Sequence, residues 1–208
     1  MNNIKKSEGE PGKRTCNKLF LASWLFILVA LSSGCRSIWQ KPDMVIEKLQ
    51  IAKLSRVADL GAGRGYFTFR IAEALGPEGL IYPVEITPGQ ISRLNRRADR
   101  LGRKNVLPVL ATTTDASLPE KMDLIFLCNT YHHIDNVTTY FSNLKKYLKS
   151  NGRIAIIELD DLPWYLFTLH SHQTSAETIK KEMHQAGYIL IEEHNNLPVQ
   201  NFLIFGLP

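Results

Sequence analysis

The chain has 208 residues, 44% of them hydrophobic, which suffices for one domain with a full core and is too little for two. Its formal charge of +5 points at first to a polyanionic partner. Residues 1–35 hold five Lys/Arg against two Glu, however, and the remainder carries 20 basic against 18 acidic residues, so overall charge gives no reason to expect nucleic acid.

From the N-terminus, residues 1–35 read as an address segment ahead of a domain spanning 36–208. A basic start (Lys5, Lys6, Lys13, Arg14, Lys18) precedes an apolar run from Leu19 to Leu31, short for a bilayer span of about 20 residues. The run ends in Leu31-Ser32-Ser33-Gly34-Cys35. That ending resembles a bacterial lipoprotein signal, in which a cysteine after small residues is lipidated, although Ser32 stands where the family usually has a large aliphatic residue. A cleaved lipoprotein, an uncleaved anchor and a buried helix all remain open; the first two attach the protein to a membrane. If Cys16 leaves with the leader and Cys35 is lipidated, only Cys128 remains, so no disulfide forms within the body. Cys128 is expected as a buried thiol.

Beyond the leader, a helix is predicted over Met44–Leu54, after Pro42-Asp43. Strands are predicted near Arg56–Leu60, Leu80–Glu85, Val106–Ala111, Met122–Asn129 and Arg153–Leu159, with helical patterns between them, a parallel α/β layout. Pro83 removes a ladder donor, so a bulge or local edge is expected there. The helix Pro88–Leu101 puts Ile91, Leu94, Ala98 and Leu101 on one face and Arg93, Arg96, Arg97, Arg100 and Lys104 on the other. The basic face reads as solvated, with anionic lipid or phosphate contact as the alternative. Thr174-Ser175-Ala176-Glu177 reads as a capping box opening a helix that closes at Gly187. Two strands follow, Tyr188–His194 and Asn201–Phe205, and their short Asn-Asn-Leu-Pro link makes them antiparallel.

One stretch organises the rest: Val57-Ala58-Asp59-Leu60-Gly61-Ala62-Gly63-Arg64-Gly65-Tyr66. A buried strand stops at three alternating glycines and an amphipathic helix begins, a turn whose backbone can approach a nucleotide closely. A dinucleotide fingerprint would need glycine at position 66, which is tyrosine, and this disfavours a nicotinamide-dependent dehydrogenase. The D-x-G-x-G-x-G pattern resembles the class I S-adenosylmethionine-dependent methyltransferases. The resemblance implies a Rossmann-like, doubly wound, seven-stranded sheet of order 3-2-1-4-5-7-6, mostly parallel with a C-terminal antiparallel hairpin. It also implies that Asp59, Gly61, Ala62, Gly63 and Gly65 contact S-adenosylmethionine, the acidic residue near its ammonium group.

Further site residues follow along the strand ends. Glu85 closes the second strand about 20 residues after the turn, where a carboxylate can accept both ribose hydroxyls. The third strand usually ends in an acid that receives the adenine amino group. Here Thr112 takes that place and Asp115 follows three residues later, either reaching back to adenine or capping a turn before Leu118-Pro119. Asn129-Thr130-Tyr131-His132-His133 follows the fourth strand, at the crevice edge, with Asn129 beside the cofactor. The run resembles the aromatic-His-His segment of many small-molecule methyltransferases. His132 or His133 could take a proton from the acceptor and Tyr131 could pack against the sulfonium or the acceptor, whereas the structural alternative has a histidine packing or capping the next helix. Glu158, Asp160 and Asp161 read as solvated strand-end carboxylates. His170-x-His172 lacks a third ligand, and no metal is expected.

The expectation is therefore a methyltransferase acting on a small-molecule or lipid-like acceptor, held at the membrane by its N-terminal segment. Its rival is a membrane-attached lipoprotein that keeps the fold as a non-catalytic binding module. Basic residues before the apolar run place the domain on the periplasmic side, in tension with a cofactor made in the cytoplasm.

Overall fold

The computed structural model describes residues 39–160 and 173–208. The predicted leader, Asp161, His170 and His172 lie outside these residues. The chain divides into two units, Met1–Trp39 and Gln40–Pro208, and the second carries the fold described below. No helix among the described residues is long and apolar enough to cross a membrane.

A short helix, α1 (Pro42–Leu49), starts with proline in its first turn and leads into β1 (Arg56–Leu60). It stops five residues before the predicted end because Gln50 turns into the left-handed region, φ 46°. The chain then alternates through α2 (Thr68–Leu75), β2 (Leu80–Glu85), α3 (Pro88–Arg100), β3 (Val109–Leu110), β4 (Met122–Cys128), α4 (Val137–Leu144) and β5 (Leu148–Leu159). It closes with α5 (Ala176–Gln185) and the hairpin β6 (Ile189–His194) and β7 (Gln200–Gly206).

The seven strands lie in the order β3-β2-β1-β4-β5-β7-β6, as the family resemblance implied. β1 to β5 pair in parallel, and β7 runs antiparallel between β5 and β6. Successive residues of the central strands feed opposite faces. Val57, Phe126 and Ile157 join one apolar cluster, and Ala58, Ile125 and Ile156 join the other. Both faces are covered, so the central strands are apolar on both sides through their middles instead of alternating.

Four further expectations are changed by the structure. The third strand shrinks to Val109–Leu110, preceded by a lone bridge from Val106 to Ile81. Pro108 and Pro83, neither with an N–H to donate, fall in the gap between bridge and strand. Pro83 causes no bulge, since β1 and β2 pair without a break from Arg56↔Leu80 to Leu60↔Val84; the local edge expected there lies on the β3 side, in this gap. The cap of α5 is Ser175, whose Oγ accepts from the Thr178 N–H at 3.3 Å; the expected box starting at Thr174 is one residue early. Thr174 donates its own N–H to Leu159 O and is tied to β5, which leaves Ser175 to open the helix. The helix does close at Gly187, where the Gly187 and Tyr188 N–H groups return to His184 O and Met183 O. Finally, Leu101, predicted on the apolar face of α3, is 49% exposed at the helix end, while Leu94 and Ala98 are buried.

Candidate active site

A cavity of about 560 Å³ opens at the carboxyl ends of β1, β2 and β4, the crevice position typical of open α/β sheets. Gly61, Glu85, Thr112, Asn129 and His133 line it, together with Ile86, Ala111, Thr130, Ile134 and Tyr140. Asp59, Ala62, Gly63, Gly65, Asp115, Tyr131 and His132 do not.

The glycine turn is stitched to β2: the Gly61 and Ala62 N–H groups donate to Val84 O at 3.0 and 3.3 Å. Its three glycines have φ values of +69°, +58° and +76°, a region costly for side-chain-bearing residues. A Cβ on Gly61 would fall onto the Thr130 side chain, and one on Gly65 would lie 2.6 Å from the Phe69 ring. A Cβ added at Gly63 would meet nothing within 4 Å, so on that side the turn faces open space. The Gly63 N–H donates to Glu85 Oε1 at 2.5 Å, which joins the turn to the acid at the end of β2 across 22 residues. Asp59 sits lower, 3% exposed, and its carboxylate accepts from Thr68 Oγ1 at the start of α2. It ties the start of α2 to the strand end beneath the turn.

Thr112 and Asp115 part company. Thr112 Oγ1 accepts from the Asp115 and Thr114 N–H groups at 3.0 and 3.3 Å, forming a compact turn. The Asp115 carboxylate points away from the cavity, accepting from Ser117 N–H (2.7 Å), Tyr147 OH (2.6 Å) and Lys146 Nζ (2.5 Å). These bonds, those of Lys146 and Tyr147 foremost, hold its pKa down at about 2. The turn-capping alternative accounts for Asp115, and its adenine contact is withdrawn: all its bonds face the loop and α4's end.

On the opposite wall, Asn129 is held in the left-handed region, φ 53°, with its N–H on Ile157 O at 2.8 Å. Its Oδ1 accepts from Gln200 Nε2 at 2.7 Å, a buried residue of β7 that the sequence did not single out. Residues Tyr131–His133 form one turn of 3-10 helix, which sends three neighbouring side chains in three directions. Tyr131 turns into the core, 1% exposed, its ring stacked on Phe141 at 5.5 Å and its hydroxyl donating to Glu182 Oε2 at 2.7 Å. Burial first, then Glu182, pushes its phenol well above the ordinary range. Tyr131 is therefore a packing residue, and the expected contact with the sulfonium is corrected. His133 is exposed and lines the cavity.

His132 lies between them, its ring centroid 4.0 Å from that of His133. Its Nδ1 is 2.9 Å from Glu158 Oε1. Glu158 is fully buried, contrary to its expected solvated state, and also accepts from the Leu159 N–H at 3.0 Å. Burial raises its carboxyl pKa, and His132 pulls it part of the way back. The signal was present in the expected sheet order: with β4 beside β5, an acid at the end of β5 falls next to the first residues beyond β4. Cys128 is half-buried, not fully buried, and its Sγ accepts from Gln40 Nε2 at 3.4 Å.

Fold, turn and crevice define a nucleotide-binding α/β enzyme of the methyl-transferring type. Residues 51–201 match the family described as methyltransferase domain, and the chain belongs to that family. Among curated proteins, it is 28% identical over 168 residues to the protein-L-isoaspartate O-methyltransferase of Ignicoccus hospitalis, covering 78% of this chain and 76% of that one. It is 29% identical to the aklanonic acid methyltransferase DauC of Streptomyces sp. over 48% of this chain and 46% of the relative, so it spans less than half of that protein. Among solved structures, a SAM-dependent methyltransferase from Aquifex aeolicus superposes with a TM-score of 0.75 at 19% identity, covering 84% of this chain and 94% of the other. Coclaurine N-methyltransferase bound to N-methylheliamine and SAH does so with a TM-score of 0.64 at 18% identity, covering 74% and 50%.

S-adenosylmethionine is the cofactor of this family, and the cavity fits it. The volume lies in the range of small-ligand sites, the Gly63 backbone has open space before it, and Glu85 stands at the strand end. Ile86 and Ala111 offer an apolar slot near Thr112.

Proposed function

We propose that this protein transfers a methyl group from S-adenosylmethionine to a hydroxyl, amine or thiol of a small or lipid-like acceptor, at a membrane to which its N-terminal segment attaches it. In this reading Gly61, Ala62, Gly63 and Gly65 present backbone to the amino-acid end of the cofactor, Glu85 accepts its ribose hydroxyls, and Thr112 and Asn129 flank it. When bound, the cofactor supplies a methyl group already activated by the sulfonium charge. The chain's task is then to place an acceptor in line and manage its proton.

The observation that carries the reading is the His133–His132–Glu158 arrangement at the cavity wall. His133 lines the cavity, His132 lies tilted beside it, and buried Glu158 holds the His132 ring by Nδ1. Held in this way, His132 gives His133 a fixed neighbour, and His133 is the ring that reaches the acceptor and can take its proton. Small-molecule acceptors are supported by the likeness to the aklanonic acid enzyme. Membrane attachment is supported by the basic and apolar leader alone.

The deciding experiment is calorimetric titration with S-adenosylmethionine and S-adenosylhomocysteine, with NADH as comparison ligand. A labelled-methyl screen of phenols, amines, thiols and quinol lipids follows. Micromolar cofactor binding that Glu85→Ala weakens about 10- to 100-fold, followed by labelling of one acceptor class, is the expected result. Cofactor binding without transfer to any acceptor would favour the binding-module rival, whose support is the missing acid at Thr112. A folded protein that binds neither cofactor form would defeat the proposal.

A further inference from the structure

Arg93, Arg96, Arg97 and Arg100 recur along α3 at spacings of three, one and three, which puts all four on one helix face. Arg64 of the glycine turn joins them around an open depression of about 830 Å³, in which Asp99 is the single carboxylate. Arg97 is fixed there: its guanidinium donates to Arg64 O at 2.5 Å and lies 4.3 Å over the Phe69 ring. Of the other arginines, Arg56 pairs with Glu120 at 3.2 Å and Arg103 with Glu73 at 3.8 Å, while Arg70 and Arg153 donate to backbone carbonyls. Among the described residues, no carboxylate lies within 4.0 Å of the five guanidinium groups of this face. Like charges three and four residues apart weaken a helix, so a face of this kind is costly unless a partner supplies negative charge. The mutual repulsion is visible at Arg97, whose pKa is lowered by burial first and then by Arg100 and Arg70.

We propose that this arginine face of α3 docks on the phosphate groups of an anionic phospholipid surface. Nucleic acid fits it less well. The aromatic rings within reach are already covered, Phe69 by Arg97 and Tyr66 by Arg70 at 4.2 Å, so no bare ring is offered for base stacking. The near-neutral body provides no basic track beyond the patch. A bilayer matches the remaining features. Exposed Leu101 adjoins Arg100 at the helix end and supplies an apolar side chain for the headgroup region. The leader's apolar run, with its own basic flank, would bring the same chain to a membrane.

The test uses the full chain and vesicles of phosphatidylcholine with and without phosphatidylglycerol, read by flotation. The variant R93Q/R96Q/R100Q leaves Arg64, Arg97 and the cavity untouched; R93Q/R100Q is a milder companion. The wild type is expected to prefer the phosphatidylglycerol vesicles, to lose that preference in high salt, and to lose at least about tenfold of it in the triple variant. Melting temperature should not fall, relief of the like-charge contacts acting if anything to raise it, and S-adenosylhomocysteine affinity should stay as in the wild type. A triple variant that keeps the full preference would overturn the proposal, and so would loss of polyuridylate binding with the vesicle preference intact.

Discussion

On the β1–β2–β3 side of the crevice the site is made of backbone: three left-handed glycines, two N–H groups on Val84 and one on the Glu85 carboxylate. On the β4–β5–β7 side it is made of side chains from distant parts of the chain: His132 with Glu158, Asn129 with Gln200, Tyr131 with Glu182. A backbone cradle suits a cofactor that never changes and tolerates no added atoms. A side-chain wall can be exchanged residue by residue to suit a different acceptor, which is how one fold comes to serve many substrates.

This contrast can be broken most severely at the turn. Gly61→Val should cost several kcal/mol, because its side chain meets Thr130 and φ is +69°; thermal melting would show a large drop together with loss of cofactor binding. Retained stability and affinity would mean that the turn is not the rigid cradle described. Glu85→Ala should leave the fold intact and weaken cofactor binding by about 10- to 100-fold, the range for hydrogen bonds to a charged group. Calorimetry decides, and an unchanged affinity would move the ribose elsewhere.

Glu158→Gln tests the other wall through pH. Because burial raises the folded carboxyl pKa above its unfolded value, the stability linked to its protonation is complete below about pH 4 and is lost as pH rises through the folded value. The variant should therefore be more stable than wild type at pH 8, with the gap closing toward pH 4, while cofactor affinity stays put and methyl transfer falls. The opposite pH trend would mean that His132 dominates the pair. Tyr131→Phe should cost about 1 kcal/mol of stability for the lost bond to Glu182 and leave transfer intact; a large loss of turnover at full stability would restore Tyr131 to the chemistry.

The smallest effect belongs to Asp115→Asn. Its depressed pKa of about 2 means that the wild-type advantage is present above about pH 4 and vanishes as pH falls through 2. Melting curves at pH 7 and pH 2 should show this, with cofactor affinity unchanged at pH 7. A fall in affinity instead would return Asp115 to the adenine.

The same contrast explains what could be read in advance. The glycine turn and Glu85 are signalled by local spacing, and the strand order follows from the family that this spacing points to. Tyr131, His132 and His133 are consecutive, and their fates depend on a 3-10 turn that no periodicity announces. Glu158 looked solvated because strand ends usually are; its burial comes from β4 and β7 on either side. Gln200 lies 71 residues from the Asn129 it holds, a distance at which a single sequence gives no pairing signal. Asp115 had two readings because its partners, Lys146 and Tyr147, come from a segment some 30 residues on.

The paired prolines, Pro83 and Pro108, have an effect beyond shortening a strand. β3 is joined to β2 by two residue pairs and one detached bridge, so the wall that holds Ala111 and Thr112 hangs from the sheet by little more than its ends. In native-state hydrogen exchange this flap should open at a small fraction of the global unfolding free energy, and a bound adenine that closes it would register as slowed exchange at Val109 to Thr112 before any other part of the sheet responds.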